Sequence, residues 1–127
     1  MARIRTVKPE LPLDEDLAAL GFAARFFFIC LWCLCDKAGR CEDRPKKLQA
    51  MILPWNPGVD ANTLLNELHP KFVIRYEVEG KRFLQVRTWE KHQRPHHTEV
   101  DTVIPPCKDG DVTVTKRIGE AVKIHGK

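Results

Sequence analysis

The chain contains no serine among its 127 residues. That absence excludes every catalytic mechanism built on a Ser-His-Asp triad. The sequence also lacks the G-x-x-x-x-G-K and G-x-G-x-x-G patterns that hold nucleotide phosphates. Its carboxylates are scattered, with no pair at a spacing that would converge on a metal ion. We therefore expect no enzymatic activity and no cofactor.

Long apolar runs are scarce as well. The longest is FAARFFFICLWCLC at residues 22–35, which only Arg25 interrupts and which Asp36 and Lys37 close. A membrane span needs about 20 apolar residues, so the run predicts a central helix buried on nearly all sides of a small domain. We expect no membrane partner. The basic N-terminus has no apolar segment behind it, so we also expect no secretory signal and a cytoplasmic location.

Two groups of potential metal ligands are explained more simply without a metal ion. Cys30 and Cys33 form a C-x-x-C pair in the middle of the apolar run, where small buried hydrophobic side chains are expected. The chain has five cysteines and no secretory signal, which predicts free thiols. His92, His96 and His97, with Cys107 beyond, have ligand-like spacing but no second ligand pair nearby. We expect no metal site.

Composition indicates one domain with flanking segments. Apolar residues make up 43% of the chain and charged residues 30%, with a formal net charge of +4. This balance is compatible with a nucleic-acid partner without requiring one. We divide the chain into a basic, extended N-terminal arm at 1–13, a domain at 14–90 and a polar C-terminal tail at 91–127 that leaves the domain. Within the tail, 112–115 are a candidate strand and 117–124 a candidate helix.

Local patterns predict one short helix before the central helix and two helices after it. A short helix covers 14–20, and Gly39 is placed for a left-handed turn after the central helix. Residues 40–42 are a candidate strand that pairs with a later hairpin. The next helix is expected to start at Asp43 as N-cap and to stop at Pro54, with Leu48, Met51 and Ile52 facing inward.

The following helix and hairpin have clearer patterns. Asp60 can cap a helix that ends at His69-Pro70, with an inner stripe of Ala61, Leu64, Leu65 and Leu68 and an outer face of Asn62, Thr63, Asn66, Glu67 and His69. Residues 72–78 and 81–87 alternate around Glu79-Gly80 and predict a β-hairpin. The sequence does not decide the register of the hairpin. Pairing Ile74 with Val86 and Tyr76 with Leu84 would gather the apolar residues on one face and leave Arg75, Glu77, Gln85 and Arg87 on the other.

This order predicts an α+β fold of the winged helix-turn-helix type, with helices followed by a hairpin wing. The stretches MARIRTVKPE, DEDLAALG, FICLWCLCDKAGRCEDRPKKL, VIRYEVEGKRFLQV and WEKHQRPHH resemble the N-terminal domain of phage replication proteins of the replisome-organiser or replication-initiator type. The resemblance implies a winged-helix domain that binds DNA at a phage origin, in the cytoplasm of the host cell. Longer members of the group continue into a region that recruits the host helicase or its loader.

The chain departs from that group in two places. Residues 69–72 stand where relatives tend to have a glycine-containing helix end, and the chain ends soon after the predicted wing. A role limited to binding DNA or one partner is therefore expected rather than full helicase recruitment.

On the DNA interpretation, the helix capped by Asp60 enters the major groove of double-stranded DNA. Asn62 and Asn66 would contact adenine, and Thr63 a thymine methyl or a phosphate. The predicted phosphate contacts are Lys46, Lys47, Arg75, Lys81, Arg82, Arg87, Arg3 and Arg5. The alternative is a protein-interaction module, an adaptor or inhibitor that docks on a replication or host protein, with Trp55 as an exposed anchor.

Overall fold

The computed structural model describes residues 2–108, 110–112, 115–117 and 120–122. Within these ranges the protein has a mixed α+β fold with five α-helices, a three-stranded antiparallel sheet and a two-stranded ribbon. The elements are α1 (Glu15–Ala18), α2 (Phe22–Trp32), β1 (Arg40–Glu42), α3 (Pro45–Ile52), α4 (Ala61–Leu68), β2 (Val73–Val78), β3 (Lys81–Val86), α5 (Trp89–His92), β4 (Thr115–Arg117) and β5 (Glu120–Val122). None of the helices in these ranges has the length and apolar content needed to cross a bilayer.

The central helix α2 buries one face only. Its inward residues recur with helical spacing and are Ala24, Phe27, Phe28, Leu31 and Trp32. Phe22 and Phe26 lie on another side of the helix and are 83% and 53% exposed. The prediction of a helix buried on nearly all sides is therefore wrong, because α1, α3 and α4 contact α2 along a single stripe.

Two predictions about the segment after α2 have different outcomes. Gly39 has the predicted left-handed conformation, with φ +78°, in the turn that leads into β1. A Cβ there would come within 2.6 Å of the Trp89 ring, so close packing also requires glycine. The N-cap of α3 is Arg44 rather than the predicted Asp43, whose carboxylate binds Arg75 inside the protein.

Helices α3 and α4 pack against each other and against α2. Helix α4 follows its prediction closely: the Asp60 side chain accepts from the Thr63 backbone N–H at 3.0 Å, and the predicted inner stripe is buried. In α3, Leu48 and Ile52 are buried as predicted, whereas Met51 is 50% exposed. Helices α3 and α4 are thus two eight-residue helices joined by the segment 53–60, an arrangement compatible with the predicted helix-turn-helix.

The sheet has the strand order β1-β3-β2, with β1 on the hairpin as predicted. The register that the sequence left open differs by one residue from the pairing of Ile74 with Val86, since Val73 pairs with Val86 and Tyr76 with Phe83. The cause is the turn: Glu79 and Gly80 both have positive φ, 51° and 79°, which closes a two-residue loop between Val78 and Lys81. A shift of one residue exchanges the two faces of a strand.

Both faces of the sheet are covered. Val73, Leu84 and Val86 join the helical core on one face, and Arg75 lies beside them. On the other face, the Tyr76 hydroxyl donates to the Pro105 carbonyl at 2.7 Å, and the Glu77 N–H donates to the Asp111 carbonyl at 2.8 Å. Residues 93–108 and 110–112 therefore lie against the domain instead of leaving it as predicted, because the second face carries buried aromatic rings that need a cover.

The ribbon of β4 and β5 contradicts the predicted helix at 117–124 wherever that segment is described. Arg117 ends β4, and 120–122 form β5. Of the predicted strand at 112–115, Val112 forms an isolated bridge with Tyr76 and Thr115 begins β4, while 113 and 114 lie outside the described residues.

Candidate nucleic-acid interface

The cations that the sequence marked as phosphate contacts separate into two groups in the fold. The exposed members are Lys46, Lys47, Lys81, Arg82 and Arg87. Arg5 and Arg75 have side chains only 5% and 6% exposed, whereas the side chain of Arg3 is 43% exposed, with its Nε 3.4 Å from a Glu99 oxygen. Arg5 and Arg75 are therefore out of reach of a polyanion, and the other cations face solvent.

Arg75 is bound inside the protein by three residues. Its Nε and Nη2 donate to the two carboxylate oxygens of Asp43 at 2.8 and 3.0 Å. Its Nη1 donates to the Asn66 side-chain oxygen at 2.7 Å, and its backbone N–H donates to His69 Nδ1 at 2.9 Å. The prediction that Arg75 lies on the outer face of the hairpin is wrong, because the observed register places it on the core side. We leave it out of the candidate interface.

Arg5 is also engaged within the protein, which the predicted free arm did not anticipate. Its guanidinium donates to both Glu99 oxygens at 2.8 and 3.1 Å and to the Cys35 carbonyl at 3.0 Å. These bonds hold the pKa of Glu99 below its ordinary value. The Arg3 backbone N–H donates to the Cys33 carbonyl at 2.8 Å. The N-terminal arm is thus bound both to Glu99 and to the backbone that follows the C-terminal end of α2.

An open groove of about 840 Å³ lies between the first turn of α3 and the start of α4. Its lining includes the cations Arg44, Lys46 and Lys47 and the amide of Asn62. The single carboxylate in the lining, Asp60, already accepts from the Thr63 backbone and hydroxyl at 3.0 and 2.9 Å. The groove therefore favours an anionic ligand.

Sequence analysis missed Arg44, although the pattern R-P-K-K at 44–47 was a usable signal. Its side chain is 62% exposed and lies 3.8 Å from Glu42. Among the described residues, no side chain caps the N-terminus of α3. The partial positive charge of that helix end adds to the three cations.

The outer face of α4 is more restricted than predicted. Asn62, Thr63 and Glu67 are exposed. Asn66 is half-buried, and its side-chain oxygen, which a bidentate contact with adenine would use, already accepts from Arg75. His69 is 7% exposed instead of lying on the outer face, because its ring accepts the Arg75 N–H.

The hairpin presents cations at both ends. Lys81 and Arg82 are exposed beside the turn, where Arg82 Nε lies 3.9 Å from a Glu77 oxygen. Arg87 follows β3 at the other end, and its Nη1 donates to the Pro70 carbonyl at 3.4 Å. Arg82 and Arg87 are five positions apart at about 3.4 Å per position, so one phosphate cannot contact both.

The histidines and the C-x-x-C pair make packing contacts. His92 stacks on Trp32 with ring centroids 4.8 Å apart, and burial lowers its pKa. His96 stacks on His97 at 4.4 Å. Cys30 and Cys33 are half-buried, and burial raises the pKa of Cys30, which disfavours the thiolate. No cluster of three or more metal-ligating side chains occurs in the part of the chain that the structure describes.

No protein-family model, no curated protein and no solved structure matches this chain.

Proposed function

We propose that this protein is a winged helix-turn-helix protein that binds double-stranded DNA and acts, without catalysis of its own, in the initiation of DNA replication or its control. The observation that carries the proposal is the exposed cationic groove between α3 and α4. In this assignment the groove contacts phosphates, and the resemblance to phage replication proteins supplies the process and the host-cell cytoplasm as its location.

The order of elements supports the fold assignment. A winged helix has a helix, a short strand, a helix-turn-helix and a hairpin. Here α2, β1, α3, α4 and the β2–β3 hairpin follow in that order, and β1 pairs with the returning hairpin strand. In this assignment α4 is the recognition helix and the Glu79-Gly80 turn is the tip of the wing.

The proposed contacts follow from exposure. The first turn of a recognition helix approaches base edges, and Asn62 and Thr63 are the exposed polar residues there. Arg44, Lys46 and Lys47 neutralise phosphates on one side of α4, and Lys81 and Arg82 do so at the wing. In this assignment Arg5 and Arg75 position the arm and the hairpin and make no DNA contact. Arg3 and Arg87 make further phosphate contacts at the edges of the interface.

A second candidate function is a protein-interaction module acting on a replication or host protein. The specific observation in its favour is the pair of exposed aromatic side chains on α2, Phe22 and Phe26. Exposed aromatic residues are the usual anchors of protein interfaces. This face and the cationic groove carry separate residues, so variants can test them one at a time.

A duplex titration at two salt concentrations tests the DNA proposal. We expect the wild-type affinity to fall as salt rises, and Lys46→Ala/Lys47→Ala to weaken binding to every sequence and reduce the salt slope by about 2. Lys91→Ala/Arg94→Ala, which removes the same charge from exposed sites outside the groove, is the matched control. Failure of the wild type to bind duplex at low salt would remove the proposal. Equal losses in both double variants would mean that net charge, not the groove, binds the DNA.

A further inference from the structure

The three tryptophans of the chain differ sharply in exposure. Trp32 and Trp89 are 1% and 3% exposed and belong to the core, whereas Trp55 is 89% exposed. Indole is among the side chains that gain most from leaving water. A large aromatic ring held in solvent is therefore an unusual feature that needs a reason.

The loop that carries Trp55 is held in place on both sides. Pro54 and Pro57 restrict the backbone, and Leu53 is buried beneath the loop. The Gln49 amide donates to the carbonyls of Leu53 and Asn56 at 3.4 Å each. Its oxygen also accepts from the Ala61 N–H at 2.8 Å. The ring is thus presented on an ordered loop, which lowers the entropy cost of binding a ligand.

The cationic groove begins next to this loop. Pro57 lines the groove together with Arg44, Lys46 and Lys47. Two residues span at most about 7 Å between Cα atoms, so Trp55 is anchored within that distance of the groove wall. An aromatic platform therefore lies close to a positively charged channel.

We propose that Trp55 and the cationic groove bind single-stranded DNA, with the indole stacking on an unpaired base and Arg44, Lys46 and Lys47 contacting its phosphates. This pairing of an aromatic ring with cations is what single strands require. In a duplex the faces of the bases are covered by their neighbours, so duplex binding gives Trp55 no stacking partner. The inference rests on the proposed function for the phosphate contacts and adds an unpaired strand as a second ligand.

A protein partner fits this part of the surface less well. The cores of protein interfaces are depleted of charged side chains. The groove beside Trp55 carries three cations, and its apolar lining consists of two prolines and the half-buried Val59. Charge complementarity favours a polyanion at this position.

Tryptophan fluorescence with a short oligothymidylate at low salt tests the inference. Trp55 is the only exposed tryptophan of the three, all of which lie in the described part of the chain, so stacking should quench its emission alone. We expect Trp55→Ala to lower the affinity for the oligonucleotide about 5- to 150-fold and to leave duplex affinity unchanged. Trp55→Phe should retain part of the lost affinity, because phenylalanine also stacks.

Phe22→Ala is the matched control, since it removes another highly exposed aromatic ring from a different element and should leave both affinities unchanged. Trp55→Ala that binds the oligonucleotide as tightly as the wild type would overturn the inference. Duplex binding without single-strand binding would also overturn it and would leave the proposed function intact. Single-strand binding that depends on Trp55, without duplex binding, would support the inference and remove the duplex proposal.

Discussion

Two pairs of cations in this protein look alike in the sequence and differ completely in the fold. Arg5 and Arg75 each bind a carboxylate through a bidentate contact and are almost fully buried. Lys46 and Lys47 lie on the first turn of α3 and are exposed. The planar guanidinium suits a buried, directional ion pair, whereas the lysine ammonium is strongly hydrated. The comparison separates charges that hold the fold from charges that are available to a ligand.

The largest effect should come from removing Arg75. Arg75→Ala leaves the Asp43 carboxylate, 2% exposed, buried without its cation. We expect a loss of about 3–5 kcal/mol in the free energy of unfolding, measured by urea denaturation. Arg87→Ala, on an exposed side chain at the end of the same hairpin, should change it by less than about 0.5 kcal/mol. A loss below about 1 kcal/mol for Arg75→Ala would show that the buried pair does not hold the hairpin to α3.

A smaller, pH-dependent effect is expected at Glu99. Because the folded pKa of Glu99 is below its ordinary value of 4.5, its contribution to stability is fully present above that value. The contribution is lost as the pH falls through the lowered pKa. Glu99→Gln should therefore be less stable than wild type at neutral pH, by roughly 1–3 kcal/mol, and the difference should shrink in acid.

The control for Glu99 lies in the same segment. Asp101 is 92% exposed and lies 3.4 Å from Lys37, so Asp101→Asn should have little effect at any pH. A stability difference for Glu99→Gln that stays constant from neutral to acidic pH would contradict the ion pair with Arg5.

The smallest effect on stability is expected for the exposed cations. Lys46→Ala/Lys47→Ala and Lys81→Ala/Arg82→Ala should each change the free energy of unfolding by less than about 0.5 kcal/mol, as thermal melts would measure. The same variants should weaken duplex binding, which separates the two groups of cations by function. A destabilisation as large as that of Glu99→Gln would show that these exposed cations hold the fold, as Arg5 and Arg75 do.

Features that depend on neighbours in the sequence were predictable. Asp60 and the leucine stripe predicted α4 correctly, and alternation around Glu79-Gly80 predicted the hairpin. The register was missed because it depends on positive φ at Glu79, a residue that rarely adopts it. Asp43 was misassigned because a carboxylate before a helix can cap it or pair with a distant cation, and the local pattern is the same in both cases.

Features that depend on distant residues were not predictable from pattern. Arg5 and Glu99 are 94 positions apart, and nothing in either stretch indicates the other. The exposed face of α2 was missed because Phe22 and Phe26 are as apolar as the buried phenylalanines beside them. Trp55 was marked as a candidate anchor from its proline-flanked turn, and the fold adds the groove next to it.

Helix stripes, capping residues and turn residues act over a few positions, so the linear order of amino acids was enough to establish the kinds of elements and their succession from α1 to β3. Which cations face solvent was decided only when the chain folded. Arg75 and Arg5 stay buried because carboxylates from remote segments, Asp43 and Glu99, are buried with them and compensate the loss of hydration. Lys46 and Lys47 keep their hydration in solvent.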